Sequence, residues 1–206
     1  MTTAIANASP TSTAIPTAPP FRRRRWTTAE FHRMIDAGIL RDGSRTFLWD
    51  GEIIEPMPEK PPHVNVENYF REILADHFPR AAWAINQGNP VQLADGFEPQ
   101  PDLTVLRGPR SAYIARMPQP ADVALVIEIA STSYFYDAGE YLTAYARASI
   151  PLYWIVNIPA RRIEVYSDPD TEAGTYRVRQ DYTPGMSVPL ANGIVAVDEV
   201  FRYALD

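Results

Sequence analysis

Hydrophobic positions along the chain follow three rhythms. In HVNVENYFREILADHF, Val66, Tyr69, Phe70, Ile73, Leu74 and Phe78 recur at helical spacing, which predicts a helix over 63–78. DVALVIEIA, residues 122–130, is a nearly unbroken apolar run, the pattern of a strand covered on both faces. RTFLWDGEIIEPM sets two short apolar runs on either side of Asp50-Gly51, a dipeptide that type I′ hairpins favour. Thr27 and Glu30 have capping-box spacing and Gly38 is a helix stop, so a helix is expected near 28–37. WAINQGNPVQL reads as strand material bent at Gly88-Asn89-Pro90, and DLTVLRG as a short strand opening at Pro101-Asp102. A helix over about 137–148 and a strand over 152–157 come next. RRIEVYS and TYRVRQDY then form a hairpin across DPDTEAG, before IVAV and a short helix in DEVFRYAL.

Strands and helices alternate only in the middle of the chain. The expected class is therefore α/β: a central mixed sheet flanked by helices, preceded by an N-terminal helix and hairpin. Residues 1–20 are almost entirely Thr, Ala, Ser and Pro, with too little bulky apolar surface to offset ordering entropy. Residues 1–24 are read as a disordered tail ending in an arginine run, and 25–206 as one domain.

Composition narrows the chemistry. The chain has no cysteine, which excludes disulfides and thiolate metal sites. No apolar run approaches the roughly 20 residues needed to cross a bilayer, and the N-terminus lacks the order of a signal peptide. A cytoplasmic protein without a membrane partner is expected. A net charge of −6 argues against broad polyanion binding. Arg22–Arg25 and the looser group Arg107, Arg110 and Arg116 are either solvated surface or a local electrostatic handle.

Glu128 is the anomaly, because it lies inside the apolar run VALVIEIA. An ionised carboxylate there costs several kcal/mol (about 2–5) unless it is paired or ligated. Asp102 opens another strand. If the two strands are neighbours, both carboxylates reach one end of the sheet and form a hard oxygen site suited to Mg²⁺ or Mn²⁺. The alternatives are an arginine-paired structural Glu128 and a turn-forming Asp102.

GEIIEPMPEKPPH, PQPDLTVLRG, VALVIEIASTS, YDAGEYLTAYARASIPLYWIVN and RRIEVY, in that order, resemble the Uma family of putative restriction endonucleases, part of the PD-(D/E)xK nuclease superfamily. The resemblance runs from about Trp26 to the C-terminus. It implies a restriction-endonuclease-like core with a divalent metal at the strand ends, held by Asp102 and Glu128. It also implies a catalytic contribution from Glu52 in the first hairpin. Many relatives carry their lysine in the following helix, in a GEK-like sequence. Here that sequence reads Gly139-Glu140-Tyr141, so Tyr141 takes the lysine position.

Tyrosine is neutral at pH 7 and cannot supply a full positive charge. Spacing puts Asp137, Tyr141, Ala144, Tyr145 and Ala148 on one helical face, expected to meet the sheet. Lys60, the one lysine beside eighteen arginines, reaches the site only if its proline-held loop folds over the sheet end. His63 is either a cap or a base or phosphate donor, while His32 and His77 read as helix-surface residues.

Three readings follow. The first is a Mg²⁺- or Mn²⁺-dependent endonuclease acting on DNA, potentially as a homodimer. The second is a nuclease-fold binding module that has lost efficient cleavage. The third is a structural protein in which Glu128 is merely paired.

Overall fold

The computed structural model describes residues 22–40 and 45–204. The tail expected to be disordered lies outside them, apart from Arg22–Arg24. Six strands form the central sheet in the order β3 (Trp83–Gln87), β4 (Leu103–Arg107), β5 (Val123–Ala130), β6 (Leu152–Asn157), β7 (Arg162–Asp170) and β8 (Thr175–Tyr182). Every pairing is antiparallel except β5 with β6. A parallel pair needs a crossover, and the segment between β5 and β6 supplies it as helix.

Alternation along β5 divides the core. Leu125, Ile127 and Ile129 pack with Val66, Phe70 and Leu74 of α2 (Pro61–His77) and with Val200 and Phe201 of α5 (Val197–Arg202). Val126 and Ala130 face the opposite layer, where Tyr145 and Ala146 of the crossover helix lie. Glu128 shares that face by its period-2 position. A small hairpin, β9 (Ser187–Leu190) with β10 (Gly193–Ala196), adds Val188, Leu190 and Val195 to the α2 layer.

Most expected elements stand where the pattern puts them. α1 (Thr28–Asp36) begins with the Thr27/Glu30 capping box, and Gly38 follows at φ 69°. β1 (Phe47–Trp49) and β2 (Glu52–Ile54) pair across Asp50-Gly51, both with positive φ as a type I′ turn requires. β3 stops at Gln87 because Gly88, at φ 57°, turns the chain. The strand expected beyond Asn89-Pro90 is absent. β9 is an addition that the hydropathy pattern did not mark.

The crossover is not one regular helix. It consists of α3 (Tyr134–Tyr136), a π-helical turn (Asp137–Tyr141) and α4 (Leu142–Arg147). Eight residues of regular α-helix would leave Asp137 and Tyr145 about 80° apart. The wider π turn cancels most of that offset, and both residues are buried.

The N-terminal unit docks on the loop that leads to Asp102. Gly51 N–H donates to Gly96 O at 2.9 Å, Glu98 N–H to Leu48 O at 2.8 Å, and Thr28 N–H to Asp95 Oδ1 at 2.9 Å. His32 is not a plain surface residue: its Nε2 lies 2.8 Å from the buried Glu98 carboxylate. The arginine groups also serve structure. Arg25 bridges to Asp50 and Glu52, Arg24 to Glu30 and Arg116 to Asp122, while Arg107 and Arg110 bond backbone carbonyls.

Gly51 tests this docking. A Cβ there would meet Arg25 Cβ at 2.7 Å and Trp26 N and O at 3.0 Å, in a backbone conformation that already favours glycine. Gly51→Ala is expected to cost about 1–3 kcal/mol, read as a lowered midpoint in thermal or urea melting.

Candidate metal-dependent active site

Leu103 pairs with Ile127, so Asp102 enters β4 directly opposite Glu128. Their backbones and carboxylates interlock. Asp102 N–H donates to Glu128 Oε2 at 3.1 Å, and Ile129 N–H donates to Asp102 Oδ2 at 2.7 Å. Tyr145, from the crossover helix, donates its hydroxyl to Glu128 Oε1 at 2.7 Å. Both acids are buried. The two strands expected to bring them together are neighbours, and the carboxylates converge at one sheet end.

More acid collects around this pair. Asp137, buried by the π turn, accepts from Ser133 Oγ at 2.6 Å, and its carbonyl accepts from Tyr153 at 2.9 Å. The first two turns of α2 contribute His63 and Glu67, both buried. His63 Nε2 lies 3.2 Å from Asp102 Oδ1 and 3.6 Å from Glu59 Oε2, yet neither contact is aligned as a hydrogen bond. Donor atoms of Glu59, His63 and Asp102 all fall within 4.8 Å of one another, the one such group of metal-ligand residues among the described residues.

Crowding of carboxylates has its expected electrostatic signature. Burial, then the charges of Asp102 and Asp137, raise Glu128 well above the usual carboxyl range, and the bonds from Tyr145 and Asp102 only partly oppose this. Burial and the Asp102 charge push Asp137 up to about 7 against the Ser133 hydrogen bond. Burial and Asp102 push Glu67 to about 7 as well. For His63, burial favours the neutral ring, but contact with Asp102 and the charges of Asp102, Glu59 and Glu67 outweigh it and raise the pKa.

Tyr141 is half-buried, its ring centroid 4.3 Å from that of Trp49 and 6.4 Å from that of Tyr145. Burial and the surrounding carboxylates hold its phenol well above the ordinary value, so it stays neutral. Glu52 stands apart. It is exposed and paired with Arg25 at 3.1 Å, and among the described residues no hydrogen bond or ion pair joins it to Asp102 or Glu128. Lys60 is exposed at the N-cap of α2 and makes no ion pair among the described residues.

The cation beside the acids is instead Arg45, which sequence reasoning did not single out. Its guanidinium grips Glu59 Oε1, and a side chain at Gly88 would begin 3.5 Å from its Nη2. Burial opposes its charge, but Glu59, Asp102 and Glu67 hold it ionised. Glu59, Glu67 and Arg45 were missed for different reasons. His63 and Glu67 continue the buried stripe of Phe70 and Leu74 toward the helix start, a signal present in the spacing. Nothing local marks Glu59 or Arg45.

The comparisons fit this architecture. No curated protein matches the chain. A solved structure described as a putative nuclease belonging to DUF820, from Anabaena variabilis, superposes with a TM-score of 0.67 at 16% identity. The match covers 87% of this chain and 99% of that one, and at this identity it shows a shared fold. No helix among the described residues is long and apolar enough to cross a membrane. The profile of the Uma2 family, described as putative restriction endonuclease, matches residues 28–197, and the chain belongs to that family.

Proposed function

We propose that the protein is a divalent-cation-dependent endonuclease that hydrolyses phosphodiester bonds in DNA. The observation that carries this reading is the convergence of Asp102 and Glu128 on neighbouring strands, inside a buried excess of carboxylates. Several buried acids at one sheet end suit a cation. His63 Nε2, buried beside Asp102 and Glu59 without an aligned hydrogen bond, and the oxygen-rich donor set fit an ion there. Asp102 and Glu128 would hold Mg²⁺ or Mn²⁺. A bound ion polarises the phosphoryl oxygen and lowers the pKa of an attacking water.

The chain's own groups do the positioning. Ile129 N–H and Tyr145 fix the two carboxylates before substrate arrives, so little reorganisation remains. Tyr141 has no hydrogen bond for its hydroxyl among the described residues, and as a neutral phenol it orients a water rather than supplying charge. Arg45 provides the permanent positive charge for the phosphate that the helix position lacks. In this reading Glu52 anchors Arg25 and the hairpin, supporting the site from outside it.

One observation favours a second reading, a nuclease-fold binding module with impaired cleavage. Tyr141 packs against Trp49 as a structural aromatic would. Nicking of supercoiled plasmid with Mg²⁺ or Mn²⁺ separates the two. Wild type is expected to nick, Asp102→Asn to lose on the order of 10²–10³-fold in rate, and Tyr141→Lys to gain. Cleavage by Tyr141→Lys with none by wild type supports the binding module. Equal rates for wild type and Asp102→Asn exclude this site as the source.

The raised carboxyls predict a pH dependence. A group whose folded pKa exceeds its unfolded value stabilises fully below the unfolded value, and that contribution is lost as pH rises through the folded one. For Asp137 and Glu67 that window runs from their unfolded values of 3.8 and 4.5 to about 7. The metal-free protein should therefore melt lower at pH 8 than at pH 5.5, by roughly 5 °C or more. Saturating Mn²⁺ should remove most of the difference, as measured by differential scanning calorimetry.

A further inference from the structure

We propose that Glu59, His63 and Asp102 form a mixed nitrogen–oxygen cation site that selects a first-row transition ion over Mg²⁺. The inference rests on the reading of Asp102 as a metal-holding residue and adds the identity of the ion. Its geometric basis is the imidazole. His63 is 8% exposed, and its Nε2 is buried without an aligned hydrogen-bond partner, between carboxylate oxygens 3.2 and 3.6 Å away. A cation held between this nitrogen and the two carboxylates would give it the directed bond that neither oxygen supplies.

The spacing suits coordination. Ligands about 2.1 Å from one ion lie roughly 3 Å apart when adjacent and about 4.2 Å apart when opposite. The observed separations, all within 4.8 Å, need only a small contraction. The donors are also held in place. Pro61 and Pro62 open α2 at its first positions, where a missing N–H costs nothing, and put His63 in the first turn. Glu59 lies four residues earlier, and Arg45 grips its Oε1, which leaves Oε2 toward His63. Asp102 is oriented by Ile129 N–H through Oδ2, with Oδ1 toward His63.

The donor set decides the ion. Mg²⁺ prefers all-oxygen surroundings and keeps several waters, whereas imidazole suits first-row transition ions. The chain has no cysteine to recruit softer ones. Glu128, whose Oε1 accepts from Tyr145 and whose Oε2 accepts from Asp102 N–H, would complete the oxygen side of the site beside Asp102.

Mn²⁺ is the probe. Pulsed electron paramagnetic resonance of wild type with bound Mn²⁺ should show coupling to an imidazole ¹⁴N, which disappears in His63→Gln. Thermal-shift titrations should give Mn²⁺ a midpoint at least about 10-fold below that of Mg²⁺, and His63→Gln should shrink that ratio to near unity. Lys60→Ala, at an exposed neighbour, should leave both readouts unchanged. If Mn²⁺ binds wild type but not Asp102→Asn, and no ¹⁴N coupling appears, the imidazole site is wrong and the metal-dependent reading stands. If no Mn²⁺ binds wild type at all, both fall.

Discussion

Several carboxylates buried at one end of a sheet are the constraint around which this fold is arranged. Asp102 and Glu128 face each other across neighbouring antiparallel strands, and each acid takes a backbone N–H from the other strand. That exchange ties their positions to the sheet ladder itself. The surroundings then answer the charge with Tyr145 beneath Glu128, Ser133 on Asp137, and His63 and Arg45 above Asp102 and Glu59. The raised pKa values of Glu128, Asp137 and Glu67 show that these partners do not fully compensate the burial. Protonation is one means of doing so and a bound cation, as proposed, is another, which connects the burial of these acids to the proposed chemistry.

Two elements serve this end directly. The π turn rotates Asp137 and Tyr145 onto one side, so the crossover helix brings both an acid and a hydroxyl to the sheet. The N-terminal hairpin is docked through Gly51 and Leu48 on the loop before Asp102, with Trp49 against Tyr141 and the preceding Arg45 on Glu59. Family membership and the shared fold describe the scaffold. The particular residues around Asp102 describe what this chain does with it.

Much of the scaffold was legible because its signals are local. The unbroken apolar run of β5, the Asp50-Gly51 turn and the Thr27/Glu30 box each depend on neighbouring residues alone. Glu128 was conspicuous for the same reason, as one charge in an apolar run, and Asp102 through its place at a strand start. Glu59 and Arg45 were not legible, because their positions come from how a loop and a hairpin dock over residues more than 40 positions away. The π turn escaped because regular helical spacing assumes a constant turn. Glu52 was expected to contribute to catalysis through a family resemblance, and its pairing with Arg25 is a long-range contact that the sequence did not mark.

The balance between stability and chemistry explains Tyr141. A lysine there would place an ammonium among Glu128, Asp137 and Asp102 and partly neutralise them. Tyrosine adds no charge to the acids and packs against Trp49, which in the proposed reading leaves more of their charge for a bound cation to balance. The most direct measurement is anomalous diffraction from crystals soaked in Mn²⁺. The account predicts a peak within coordination distance of an Asp102 carboxylate oxygen. A fully soaked crystal with Asp102, Glu128 and His63 ordered and no peak beside them would contradict it.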